Sequence, residues 1–353
     1  MRFGTYYFLQ APPDRSHADV LREEVDQMVL AEELGYDSIW LTEHHYADYG
    51  LSSAPSVLLA TVAAQTSRIQ LAIAVYVIPF HHPLRLAEET AALDILSNGR
   101  LTVGIGRGNR PLEFYGHGLS LADNRSRMEE ATDLLLQAWM QERVTFHGKH
   151  WNIENVPVYP KPITPPHPPL AVAVTSPESI AWAAKRGFGM LSSGLTTPLA
   201  TLQANRQRYV DELQLAGQPM GGIETLLDRW TVTKHVHVAP TDAEAREAAE
   251  PAERWYLDSF ARSFSTEGIP GLPDSVHEQS RAQQARMRTM DFEALLRDPL
   301  LVGSPDTVAR KVADLRASGV AELACWMSFG GLTPEQVRRS MRLFADQVMP
   351  AFR

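Results

Sequence analysis

The chain has 353 residues, enough for one large core or two ordinary domains. A formal charge of -9 with no basic run argues against a nucleic-acid backbone as partner, and no 18-residue apolar stretch suited to a membrane span occurs. The single cysteine, Cys325, excludes an internal disulfide and a cysteine cage for a metal, and its apolar surroundings predict a buried thiol used for packing.

The aromatic run Arg2 to Leu9 reads as a first strand, entered at once with no basic or apolar leader, so a cytoplasmic protein is expected. Apolar residues at Val20, Leu21, Val25, Met28, Val29 and Leu34 then recur with helical spacing, closed by Gly35. A second unit follows, with a strand from Ser38 to Leu41 and a helix from about Ser56 to Gln65 opened by Ala54-Pro55. Ile69 to Ile78 is the longest apolar run and precedes a helix from Leu84 to Leu96, ended by Asn98-Gly99. The fourth strand, Leu101 to Ile105, enters a glycine-rich segment, and a long helix spans about Arg125 to Trp139.

Val144 to Trp151 reads as a surface hairpin around His147-Gly148-Lys149, and a proline-rich connection carries the chain to Pro169. Alternation resumes with strand Leu170 to Val174, helix Pro177 to Arg186, strand Gly189 to Leu191 and helix Leu199 to Ala216. Trp230 to Val238, the seventh strand, alternates as a half-buried strand should, and Thr241-Asp242 opens a helix to about Phe260. Residues Ala261 to Arg297 show no sustained period and are expected to form a mobile insertion suited to be a lid. A helix from Ser304, the strand Glu322 to Ser328 and the helix Pro334 to Val348 complete the chain. Eight strands, each followed by a helix, predict a single-domain (β/α)8 TIM barrel with insertions after strands four and seven. A doubly wound sheet fits less well, because the first strand-to-helix turn, Gln10-Ala11-Pro12-Pro13, lacks the glycine fingerprint of that fold.

In such a barrel the strand ends meet at one rim, so residues distant in sequence converge there. Strand two delivers Glu43, His44 and His45; neighbours on a strand face opposite ways, so one histidine should face a pocket while the other braces it. Strand three ends near His81-His82, and strand four in Gly106-Arg107-Gly108, whose glycines allow a flat ligand to approach while Arg107 offers a cation. Strands five and six end in Thr175-Ser176 and Ser192-Ser193, and Ser176 and Pro177 open a helix whose N-terminus suits a phosphate. Phe8, Tyr76, Phe114 and Trp230 are candidate pocket walls. The two His-His pairs leave a metal-dependent hydrolase open as a different class, weakened by the absence of carboxylates at the last strand, and a non-catalytic barrel leaves the histidine-rich rim unexplained.

Several segments resemble the bacterial luciferase-like flavin monooxygenases: Met1 to Phe8, Trp40 to His45, Val77-Ile78-Pro79 with His82-Pro83, Ser97 to Arg100 with Gly104 to Gly108, Ala181 to Gly187, and Gly303-Ser304-Pro305. The resemblance spans nearly the whole chain. It implies a (β/α)8 barrel that binds FMN, reduced by a separate reductase, and uses O2 through a flavin C4a-peroxide to oxidise a small organic substrate. By position it implies that His44 is catalytic and His45 needed beside it, that Ala74 and Val75 are joined by a cis peptide under the flavin ring, and that Arg107, Ser176 and Ser179 contact the flavin phosphate. Thr175 and Gly106 stand where the luciferase catalytic subunit has a glutamate and a reactive cysteine, so light emission is not expected. Deazaflavin-dependent reductases share the barrel, which makes hydride transfer the alternative. The family commonly pairs through the helices after strands two and three; here these are apolar on several sides, with Val57, Ala60, Ala87 and Ala91 among the residues, and predict a homodimer.

Overall fold

The computed structural model describes residues 1–353 and contains a closed barrel of eight parallel strands. In chain order the first half comprises β1 (Arg2–Tyr7), α1 (His17–Glu33), β2 (Ser38–Leu41), α2 (Pro55–Ala63), β3 (Gln70–Val77), α3 (Pro83–Leu96), β4 (Leu101–Gly106), α4 (Pro111–Gly116) and α5 (Asn124–Met140). The hairpin strands β5 (Arg143–His147) and β6 (Asn152–Pro157) form a separate antiparallel pair. The second half follows with β7 (Leu170–Val174), α6 (Pro177–Arg186), β8 (Gly189–Ser193), α7 (Leu199–Leu215), α8 (Met220–Leu227) and β9 (Thr231–Val238). Then come α9 (Asp242–Arg262), α10 (Asp274–Arg288), α11 (Phe292–Arg297), β10 (Leu301–Gly303), α12 (Pro305–Ala317), β11 (Glu322–Trp326) and α13 (Pro334–Leu343). The barrel order is β1-β2-β3-β4-β7-β8-β9-β11, closed by β11 on β1, while β10 pairs only with the outer edge of β9.

Helix starts follow the capping chemistry of the sequence. Ser16, Ser176, Thr241, Ser304 and Thr333 each accept a backbone N–H from the first turn, relieving donors that a helix leaves unpaired. Gly35 adopts φ +80° just past α1, with Leu34 as the C-cap between them. Cys325 is fully buried, as its apolar neighbours require.

Several elements depart from the sequence expectation. Residues 261–297 form the end of α9, then α10 and α11, and are tied to one another by Ser280 Oγ donating to Phe264 O and the 2.7 Å contact of Thr266 Oγ1 with His277 Nδ1, with α10 packed on α9. Their Arg, Gln and Ala content favours helix even where the apolar period is weak. All eight residues of β9 are buried, including Lys234, His235 and His237, because both faces are covered: Lys234 Nζ donates to Thr197 O in the loop after β8, while His235 meets Glu253 and Tyr256 of α9. The short helices α4 and α8 lie within loops, below the length at which periodicity speaks.

Between β3 and β4 the register breaks. Ile73 pairs with Val103 and Tyr76 with Ile105, so Ala74 and Val75 together oppose Gly104 in a β-bulge. The bulge brings the Ile73 carbonyl to 2.1 Å from where a Cβ on Gly104 would stand, and Val75 Cγ2 to 2.6 Å from one on Gly106. Glycine in β4 thus first serves the close approach of its neighbour strand.

Candidate active site

The bulge places the Ala74–Val75 peptide, which is cis, at the C-terminal mouth of the barrel. There the ends of β1 to β4 and β7 surround a cavity of about 160 Å³ lined by Tyr6, His44, Ala74, Val75, Gly106, Arg107, Thr175 and Ser179. A larger hollow of about 650 Å³ lies between α9 and the turn before α13, lined by Pro12, Trp255, Gly331 and Arg339; none of the anticipated residues reaches it. The smaller cavity is the candidate site, because the acid/base candidates converge on it.

His44 and His45 divide as strand geometry requires. His44 lines the cavity, its ring stacked on Phe8 at 5.0 Å, and its Nδ1 lies 3.0 Å from Glu113 Oε1. The same carboxylate oxygen accepts the His45 backbone N–H at 3.0 Å. Burial opposes ionisation of Glu113, but the charge and hydrogen bond of His44, the Arg110 charge and the His45 amide outweigh it and hold the carboxyl below its ordinary value. An ionised Glu113 accepts from Nδ1–H and leaves His44 Nε2 as the ring nitrogen able to take a proton.

His45 points away from the cavity. Its Nε2 lies 2.9 Å from Glu43 Oε1, and His81 Nε2 approaches the same oxygen at 2.7 Å, while Glu43 Oε2 accepts Val77 N–H at 2.6 Å. Burial alone raises the Glu43 pKa, yet the two imidazole contacts hold this fully buried carboxyl down at about 2. Burial likewise disfavours charge on His81, and the hydrogen bond and charge of Glu43 more than reverse it, so His81 titrates above its ordinary value. Glu43 therefore ties strand two to the end of β3, and His45 acts as a brace. No group of three or more His, Cys, Asp or Glu side chains is arranged to hold a metal ion.

The remaining anticipated residues are spread more unevenly. Arg107 is exposed at the cavity edge. Ser176 and Ser179 form a capping box in which Ser179 Oγ accepts the Thr175 and Ser176 amides at 3.1 Å each, so these donors are already engaged and an arriving phosphate must displace a serine hydroxyl. Ser192 is buried below the rim and accepts Trp230 Nε1–H at 3.0 Å, which also removes Trp230 from the pocket wall. Ser193 is exposed at the end of β8, outside the cavity. Tyr76 faces outward to Ser56 and Glu89, and Phe114 packs on Phe80. Phe8 belongs to an aromatic layer with Trp326 and Tyr49 behind His44.

Sequence reasoning missed Glu113, which sits on the six-residue α4, and Met128, which lines the cavity; Asn109, also in its lining, lies at the end of strand four where the rim was expected. The available signal was a carboxylate six residues past Arg107 in the loop of strand four, spaced to turn back on the rim.

Residues 1–322 match the model of the luciferase-like monooxygenase family. The alkanal monooxygenase alpha chain of Photorhabdus luminescens is 26% identical, with 99% of this chain and 96% of that protein covered. The monooxygenase RslO1 of Streptomyces bottropensis superposes with a TM-score of 0.84 at 28% identity, over the full length of both chains. The oxygenating constituent of 3,6-diketocamphane monooxygenase of Pseudomonas putida, a type II Baeyer-Villiger monooxygenase solved in complex with FMN, gives a TM-score of 0.81 at 25% identity over 99% and 98% of the two chains. This parallel eight-stranded barrel, with a histidine–carboxylate pair at its carboxyl rim and nine-tenths of its length matched by one family model, belongs to the luciferase-like monooxygenase family and is an oxidoreductase.

Proposed function

We propose that the enzyme binds FMN in the cavity at the mouth of β1 to β4 and β7, receives it reduced from a separate reductase, and uses O2 to oxidise a small organic substrate. The observation that carries this reading is the meeting of Ala74–Val75, Gly106 and Arg107 with the His44–Glu113 pair in one cavity. The residues fit the group. The bulge and Gly106 offer a surface without protruding side chains, and Arg107 with the Thr175–Ser179 turn offers a cation and hydroxyls for a phosphate. The FMN complex of the camphane enzyme's oxygenating constituent supports both the flavin and a division of labour with a reductase. The chain itself carries no second nucleotide fingerprint.

Reduced FMN supplies, when bound, the electrons that activate O2. The protein's own part is to position and to shelter. His44 Nε2, freed by the Glu113 contact, holds or moves a proton at the cavity wall. Phe8, Tyr49 and Trp326 back His44 with a layer of buried rings that excludes water, which protects reactive oxygen chemistry from loss to solvent. We infer further that the enzyme works in the cytoplasm beside its reductase and as a homodimer paired through α2 and α3.

The test is anaerobic titration with reduced FMN, followed by admission of air. Saturable binding of one FMN per chain, tighter than binding of NADH, is the expected result. Stoichiometric zinc binding with no affinity for flavin overturns the proposal.

A further inference from the structure

Arg110 stands two residues past the cavity-lining Gly108, at the start of α4, and is 6% exposed. Its Nε and Nη1 are buried without an acceptor. Instead of a carboxylate it meets aromatic faces: the guanidinium carbon lies 3.7 Å from the Phe264 ring centre, 4.6 Å from Phe260 and 5.6 Å from Tyr49. Glu113, whose ionisation the Arg110 charge favours, is already committed to His44 and the His45 amide. A guanidinium is a permanent cation with five donors in a planar fork, and withdrawing it from water without acceptors is costly. Cation–π contacts return only part of that cost and satisfy no N–H in the plane of the fork.

The position of Arg110 relative to the chemistry narrows what would complete it. Tyr49 is shared: its ring makes an edge contact with His44 at 5.2 Å and also faces the guanidinium, so one aromatic ring separates Arg110 from the acid/base residue. Phe260 and Phe264 come from the end of α9 and the turn beyond it, in the segment between β9 and β10. Rings that now lie over the cation are equally suited to stack on a flat ligand.

We propose that Arg110 is the specificity-determining residue of this site, and that it takes the anionic oxygens of a planar aromatic acid which enters by displacing Phe260 and Phe264 from the guanidinium. The acid group pairs with the fork in bidentate fashion, and the ring body extends past Tyr49 toward His44, where oxidation takes place. This rests on the oxygenase reading of the cavity, and the experiment separates the two.

Calorimetric titration of the full chain, with and without FMN, with 2-naphthoate and its neutral analogue 2-naphthamide tests the proposal. Wild type is expected to bind the acid about tenfold or more tightly than the amide, as a charge-assisted hydrogen-bond pair in a desolvated site should. Arg110→Gln should bring the ratio to about one, and Arg110→Lys, which keeps the charge and loses the fork, should keep part of it. Melting curves of both variants establish that they fold, and Arg110→Lys carries the comparison if the glutamine variant does not. No binding of the acid at millimolar concentration, equal affinity for acid and amide in wild type, or a preference that stays at its wild-type size in the folded variants overturns the proposal and leaves Arg110 as a clamp between α4 and α9. The FMN titration on the same samples reports on the oxygenase reading alone, whatever the acid-to-amide ratio.

Discussion

At the scale of single residues, the site is two carboxylate–histidine systems placed back to back. Glu113 fixes the ring of His44, and Glu43 gathers His45 and His81 behind it. Replacing His44 by Asn should lower turnover about 10²-fold, as loss of a positioned acid/base group does, with the fold and FMN affinity retained. Glu113→Gln should lower turnover too and alter the pH–rate profile, because an amide can stabilise either ring tautomer; steady-state rates across pH check both, and wild-type rates in either variant would remove the pair from the chemistry. The Glu43–His81 contact makes a separate prediction about stability. A raised His81 pKa means stability that is complete below about 6.5, the unfolded value, and is lost as pH rises through the folded value. The depressed Glu43 pKa means stability that is present above about 4.3 and is lost as pH falls through the folded value of about 2. Both contributions are therefore whole between about pH 4.3 and 6.5. His81→Gln should cost about 1.5–3 kcal/mol in that window, by analogy with hydrogen bonds to buried charges, and less at pH 9. Urea unfolding of wild type and variant at pH 5.5 and 9 measures the difference, and a cost that does not shrink with pH contradicts the assignment.

At the scale of elements, the sequence was legible wherever an apolar period ran long enough and a capping residue marked its start. The eight barrel strands and the caps Ser176, Thr241 and Ser304 could all be read this way. The bulge could not, because Leu71 to Ile78 is apolar throughout, and an unbroken apolar run gives no parity from which a missing step could be noticed. The doubly buried β9 was misread for the opposite reason: Lys234 and His237 look like solvent-facing positions until the loop before α7 is known to cover the first and α9 and α13 to flank the second. His44 was legible from its place at a strand end, whereas Glu113 depended on a one-turn helix inside a loop, and Ser192 lay one step too deep on β8 to reach the cavity.

At the scale of the whole molecule, the question is which faces the barrel leaves for a partner. Ala87 and Ala91 of α3 are fully buried against the chain's own core, so they take no part in pairing, contrary to the sequence expectation. The apolar surface that remains on these helices comes from Val57, 66% exposed, with Leu96 at 70% and Ile95 at 40%. A two-fold partner laid over α2 and α3 would cover all three. Light scattering at low micromolar concentration should give a dimer mass, and the paired Val57→Glu and Leu96→Glu changes should give a monomer with unchanged helix content. A monomeric wild type, or a dimer indifferent to both changes, removes these helices as the interface.

The break between Ile73 and Tyr76 has one more consequence. The residues of β3 that share an outward face are Leu71, Ile73 and Tyr76, odd below the break and even above it, matched to Leu101, Val103 and Ile105 on β4. The strand is one residue longer than the barrel needs. A chain lacking Ala74 would pair β3 with β4 without interruption and return every outward side chain to its present neighbour, while the surface under the cavity disappeared and Gly104 lost its reason to be glycine. Substitution tests what a residue contributes; here the surplus is one of length, and it shapes the cavity and not the pairing of the barrel.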